Sequence, residues 1–136
     1  MTSTKINTLE EMKSFAAEIA AGARPGDVYA LKGNLGAGKT TFSQFFINSL
    51  SEKEQTVTSP TFNLIQIYKT KKFDIWHCDF YRLKSEKEFE NLGIEDAFSS
   101  AVTLIEWPEI AAHLLPKNTK HIEIQLQPDG SRTISH

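Results

Sequence analysis

Gly33-Asn34-Leu35-Gly36-Ala37-Gly38-Lys39-Thr40, followed by Thr41, decides how the rest of this chain is read. The stretch fits G-x-x-x-x-G-K-[ST], a phosphate-binding loop. Glycines at 33, 36 and 38 let the backbone turn tightly and aim N–H groups at an anion, and the positive end of a following helix adds to the attraction. Lys39 is expected to reach the β- and γ-phosphates and Thr40 to offer its hydroxyl to Mg²⁺. The flanks suit that assignment. Val28-Tyr29-Ala30-Leu31 reads as a short strand, and the run from Gly38 to about Leu50 as a helix.

The 136 residues, of which 40% are hydrophobic and 24% charged, suit one soluble domain spanning 1–136 with a single core. No apolar run is long enough for a transmembrane helix, and the first residues (Met1-Thr2-Ser3-Thr4-Lys5-Ile6) lack a signal core, so a cytoplasmic location without membrane attachment is expected. Cys78 is the sole cysteine, which excludes an intrachain disulfide and leaves it as a small apolar filler. A net charge of −2 speaks against tight unaided binding to nucleic acid.

Ahead of the loop, Thr8-Leu9-Glu10-Glu11 has the form of a capping box. Leu9, Met12, Phe15, Ala16, Ile19 and Ala20 then keep helical spacing up to Gly22. Behind the loop, Thr56-Val57-Thr58-Ser59-Pro60-Thr61-Phe62 is either a plain loop of turn formers or a hydroxyl-bearing switch that senses a γ-phosphate. Leu64 to Tyr68 and Phe73 to His77 read as strands around the basic turn Lys69-Thr70-Lys71-Lys72, whose lysines serve solubility. Next comes His77-Cys78-Asp79-Phe80-Tyr81-Arg82. Asp79 there is a ligand-facing carboxylate, a helix cap or the partner of Arg82.

Ser85-Glu86-Lys87-Glu88 opens a second capped helix through Leu92, ending at Gly93, with one or two further helical turns from Ile94 to Phe98. Ala101 to Ile105 is a buried strand of parallel type ending at Glu106-Trp107-Pro108-Glu109. An acidic residue at such a strand end is how phosphate-loop proteins place a metal-site carboxylate, against the plainer readings of a solvated Glu106 and a core Trp107. His121 to Gln127 and Arg132 to Ser135 form a C-terminal β-hairpin around Pro128-Asp129-Gly130. His113, His121 and His136 lack metal-ligand spacing and are expected at the surface.

Three classes of phosphate-loop protein compete. A guanine switch needs N/T-K-x-D, and both Thr70-Lys71-Lys72-Phe73 and Thr119-Lys120-His121-Ile122 lack the aspartate. A small-molecule kinase usually carries several arginines on lids, and only Arg24, Arg82 and Arg132 are present. A small ATPase serving a partner remains. A phosphotransferase and a nucleotide-gated binding module stay open as alternatives.

Leu35 to Phe42, Ser59-Pro60-Thr61-Phe62, His77-x-Asp79-x-Tyr81-Arg82 and Ile105-Glu106-Trp107-Pro108 resemble, in order and spacing, the TsaE (YjeE) family. These are bacterial ATPases of tRNA threonylcarbamoyladenosine (t6A) biosynthesis. The resemblance covers Thr8 to Glu109 and implies a three-layer α/β fold of the P-loop NTPase kind, with a mixed, mainly parallel sheet between helices. It implies Mg²⁺-dependent ATP hydrolysis, slow in isolation, that supports repeated turnover of a complex of TsaB-like and TsaD-like proteins. These partners, not this chain, would hold the tRNA. Residue by residue, Gly33, Leu35, Gly36, Ala37, Gly38, Lys39, Thr40 and Thr41 would wrap the triphosphate, and Thr40 and Glu106 would hold Mg²⁺. Asp79 would orient water or sense the γ-phosphate, with exchange of roles between Asp79 and Glu106 left open. Thr61 would close over the γ-phosphate, Trp107 would pack beside the nucleotide, Thr8 would approach adenine and Arg132 the phosphates.

Overall fold

The computed structural model describes every residue except Met1, Thr61 and Phe62. Its strands are β1 (Ser3–Ile6), β2 (Val28–Lys32), β3 (Ile65–Lys69), β4 (Asp74–Asp79), β5 (Val102–Glu106), β6 (Lys120–Leu126) and β7 (Arg132–Ser135). The helices are α1 (Leu9–Ala21), α2 (Lys39–Leu50), α3 (Glu86–Glu90) and α4 (Ala97–Ser100), with 3₁₀ segments at Ile94–Asp96 and Pro108–Leu114. The strands form one sheet in the order β1-β7-β6-β2-β5-β4-β3. Its four central strands, β6, β2, β5 and β4, run parallel, and antiparallel strands close both sides. The sheet is therefore mixed, with a parallel centre between two helical layers.

Side chains that alternate along β2 explain those layers. Leu31, with Ile75, Leu104 and Ile124 from neighbouring strands, packs against Phe15 of α1 and Phe42, Phe46 and Ile47 of α2. Val28, Cys78 and Ile105 face the other way, toward Phe80, Phe89, Ile94 and Ala97. Cys78 is fully buried, and burial with nearby Asp79 raises its thiol pKa, as suits an inert filler. No helix of the described residues is long and apolar enough to cross a membrane.

The local signals hold with instructive shifts. Thr8 Oγ1 accepts from the Glu11 amide at 3.1 Å, as a capping box requires, but Glu11 Oε2 accepts from Asn7 N–H at 3.2 Å rather than from Thr8. Leu9, expected on the apolar stripe, is 67% exposed. The capped helix at Ser85 stays α-helical only to Glu90 and loosens before Gly93. β4 runs on to Asp79 because Cys78 and Asp79 pair with Ile105 and Glu106 of β5, a partner invisible to local sequence. β1 likewise carries no local signal: Ser3-Thr4-Lys5-Ile6 has one apolar residue, and its partner β7 lies at the far end of the chain. His113 and His121 are exposed, whereas His136 is half-buried with its ring edge-on to Phe15 at 5.1 Å.

Candidate functional site

Parallel strands end on the same side, so β2, β4 and β5 deliver the phosphate loop, Asp79 and Glu106 to one edge of the sheet. Such carboxyl edges are where open α/β sheets bind ligands. The loop leaves β2 against β6. A Cβ on Gly33 would stand 2.6 Å from the Ile124 carbonyl oxygen, so no larger residue fits there. Gly38, with φ of 118°, starts α2 without any side-chain cap, in contrast to Thr8 on α1. The first amides of α2 are thus left for an anion.

Lys39 is buried. Its Nζ donates to the Gly33 carbonyl and lies 3.3 Å from the Trp107 ring centroid. Burial pulls its pKa below the ordinary lysine value, while Glu106, Glu109 and Asp79 act the other way. Trp107 itself takes a left-handed backbone (φ 57°) that swings its ring over the loop, and Tyr81 packs on it at 4.9 Å.

Asp79 and Glu106 stand directly opposite each other on adjacent strands, yet their partners differ. Asp79 Oδ2 accepts from Ser59 Oγ at 2.6 Å and Oδ1 from the Tyr81 amide at 2.9 Å. Glu106 Oε1 accepts from Thr40 Oγ1 at 2.9 Å, and Oε2 lies 2.6 Å from His77 Nε2. At 2% exposure Glu106 is no solvated strand end.

Among the described residues no group of three or more His, Cys, Asp or Glu side chains could cage a metal. A Mg²⁺ site on phosphate needs no such cage: one or two protein oxygens complete a shell of water and phosphate. Thr40 Oγ1 and Glu106 Oε1, 2.9 Å apart, suit this. Ligand bonds of about 2.1 Å at right angles put neighbouring oxygens about that far apart.

A cavity of about 460 Å³ joins these groups. Leu35 through Thr41 line it with Asp79, Glu106, Trp107 and Arg132, and so do Ser59, Tyr81 and Arg82. Gly33 contributes its carbonyl to Lys39 from beneath. Thr8 lies outside, on a small adjoining cavity that shares Gly38, Thr41 and Arg132. Arg132 also holds the loop, its Nε donating to the Ala37 carbonyl at 3.0 Å. Thr61 lies outside the described residues. A larger cavity, about 750 Å³ between α1, α2 and residues 54–57, contains no residue of the loop, and chemistry rather than size favours the smaller one.

Sequence alone places His77 in the His77-x-Asp79-x-Tyr81-Arg82 motif without a role of its own. Its signal is the two-residue spacing from Asp79, which places both side chains on one face of β4.

Comparisons with known proteins show the family and the fold. A family model described as "Threonylcarbamoyl adenosine biosynthesis protein TsaE" matches residues 6–134. The chain belongs to the TsaE family. A relative from Rickettsia bellii, named tRNA threonylcarbamoyladenosine biosynthesis protein TsaE, is 46% identical over 129 residues, covering 95% of this chain and 90% of its own. A Bacillus subtilis protein of the same name is 40% identical over 127 residues, covering 93% and 78%. The crystal structure of Bacillus subtilis YdiB superimposes with a TM-score of 0.82 at 33% identity, over 98% of this chain and 82% of that one. The TsaE family thus accounts for the sequence motifs and for the fold.

Proposed function

We propose that residues 1–136 form a single P-loop ATPase domain that binds ATP with Mg²⁺ and hydrolyses it slowly alone. In this reading it drives turnover of TsaB-like and TsaD-like partners in t6A modification of tRNA. The tRNA is held by those partners, and the setting is the cytoplasm, without a membrane. One observation carries the ATPase reading: the phosphate-loop hydroxyl of Thr40 touches the strand-end carboxylate of Glu106, beside a buried Lys39.

On binding, the triphosphate is wrapped by residues 35–41 and draws Lys39 Nζ from the Gly33 carbonyl and the Trp107 ring toward the β- and γ-phosphates. Thr40 and Glu106 hold Mg²⁺, directly or through water; when bound, the cation neutralises charge that develops on the phosphate oxygens. Asp79 gives up its Ser59 contact to accept a hydrogen bond from the attacking water and so aim it at the γ-phosphorus. Its contact with the Ser59 loop rather than with Thr40 favours this division of roles over the exchanged one. Thr61 closes over the γ-phosphate in the same loop. Trp107 packs beside the nucleotide, Thr8 borders adenine, and Arg132 steadies the loop that cradles the phosphates.

ATP hydrolysis measured with and without purified TsaB and TsaD proteins tests the proposal. Stimulation together with complex formation is expected. Label transferred from ATP to another acceptor would point to a phosphotransferase, and ATP-dependent association without turnover to a binding module.

A further inference from the structure

His77 is fully buried on the face of β4 that bears Asp79. Leu104 stands opposite it on β5, two residues before Glu106, so the imidazole reaches diagonally to the carboxylate. Its Nε2 lies 2.6 Å from Glu106 Oε2, while Nδ1 has no partner among the described residues. A buried histidine kept for structure normally satisfies both nitrogens. Here the one nitrogen in use is spent on the carboxylate that meets Thr40.

We infer that His77 is a positioning residue for the cation site: its Nε2–H fixes the Glu106 carboxylate so that Oε1 is presented beside Thr40 Oγ1. The inference rests on the ATPase reading above and deepens it. Two physical requirements support it. The terminal torsion of a glutamate is broad, so an untethered carboxylate turns freely between orientations. A carboxylate this buried also needs a hydrogen-bond donor for each oxygen, because neither oxygen can turn to water for one. Thr40 supplies one donor, but its hydroxyl is itself wanted by Mg²⁺. His77 supplies one that the cation does not compete for.

ATP affinity of the full chain, titrated in EDTA and in excess Mg²⁺, tests this with His77→Gln, His77→Asn and His77→Leu, with Glu106→Gln as control. Glutamine carries its N–H donor close to the imidazole Nε2 position, whereas asparagine carries it near Nδ1, out of reach of Glu106. His77→Asn and His77→Leu should reduce the Mg²⁺-dependent gain in affinity by roughly 10–100-fold. His77→Gln should keep most of that gain. All three should match the parent in EDTA, with native circular dichroism.

Parent-like Mg²⁺ dependence in His77→Leu or His77→Asn overturns the inference. So does a loss in His77→Gln as large as in His77→Leu, or failure of all three to fold, since the ring would then serve packing. If only His77→Leu fails to fold, the contrast between glutamine and asparagine decides. If Glu106→Gln leaves the Mg²⁺ gain untouched, the cation-site reading itself fails, whatever His77 does.

Discussion

Two lysines lie over aromatic rings at opposite ends of β2, and they are held in opposite ways. At the amino end Lys120 pairs in register with Tyr29, its Nζ 5.3 Å from the ring centroid and 3.1 Å from Asp27 Oδ2. Burial lowers the Lys120 pKa, but Asp27 and Tyr29 outweigh it and the net shift is upward. At the carboxyl end Lys39 has a ring and a carbonyl, and no ion pair among the described residues. Burial dominates there and the pKa falls. Similar groups, a lysine, an aromatic ring and nearby carboxylates, thus make a satisfied surface pair at one end and an under-compensated charge at the other. Only the second gains from an arriving polyanion.

The largest effect that would break this comparison is expected at Lys39. Lys39→Ala should lower ATP affinity by at least about 100-fold, equivalent to about 2.7 kcal/mol. Unchanged affinity in a direct titration would sink the phosphate-loop assignment. Asp79→Ala should come next, binding ATP within about threefold of the parent but losing turnover by roughly 10²–10⁴-fold, as for a lost water-positioning carboxylate. Should circular dichroism show it unfolded, Asp79 serves the fold through Ser59 and Tyr81 instead.

Lys120→Ala sharpens the contrast from the weak side. It should leave ATP affinity unchanged and cost at most about 1 kcal/mol in urea unfolding, as exposed pairs do. A lysine whose folded pKa is raised contributes below its unfolded value and loses that contribution as pH rises through the folded one. The gap between parent and variant should therefore shrink as pH climbs beyond the ordinary lysine value of 10.5.

Legibility in the sequence followed the distance over which each feature is decided. The Thr8 cap and the Ser85 cap, closed over three residues, were readable because donor and acceptor lie in one turn. The β6–β7 hairpin was readable for the same reason. Features closed over longer spans were harder. β1 depends on β7, and the last two residues of β4 depend on β5. Asp79 reads locally as a ligand-facing carboxylate, a helix cap or the partner of Arg82, and its Ser59 partner, twenty residues away, is invisible to that local pattern. The spacing of His77 from Asp79 marked only a shared face of β4, because the carboxylate it meets is 29 residues downstream.

By itself the sequence determined that a G-x-x-x-x-G-K-[ST] loop lies between a strand and a helix, since its glycines, lysine and threonine are contiguous and their effect is local. Its motif set also determined the family. Tertiary structure alone decided which carboxylate meets Thr40. Parallel pairing of β2, β5 and β4 sets Leu31, Glu106 and Asp79 side by side at one edge. From there Glu106 closes a contact with Thr40 across 66 residues, and Asp79 turns to the Ser59 loop. The difference between two adjacent acidic residues is made by what packs against each, and no local pattern encodes that.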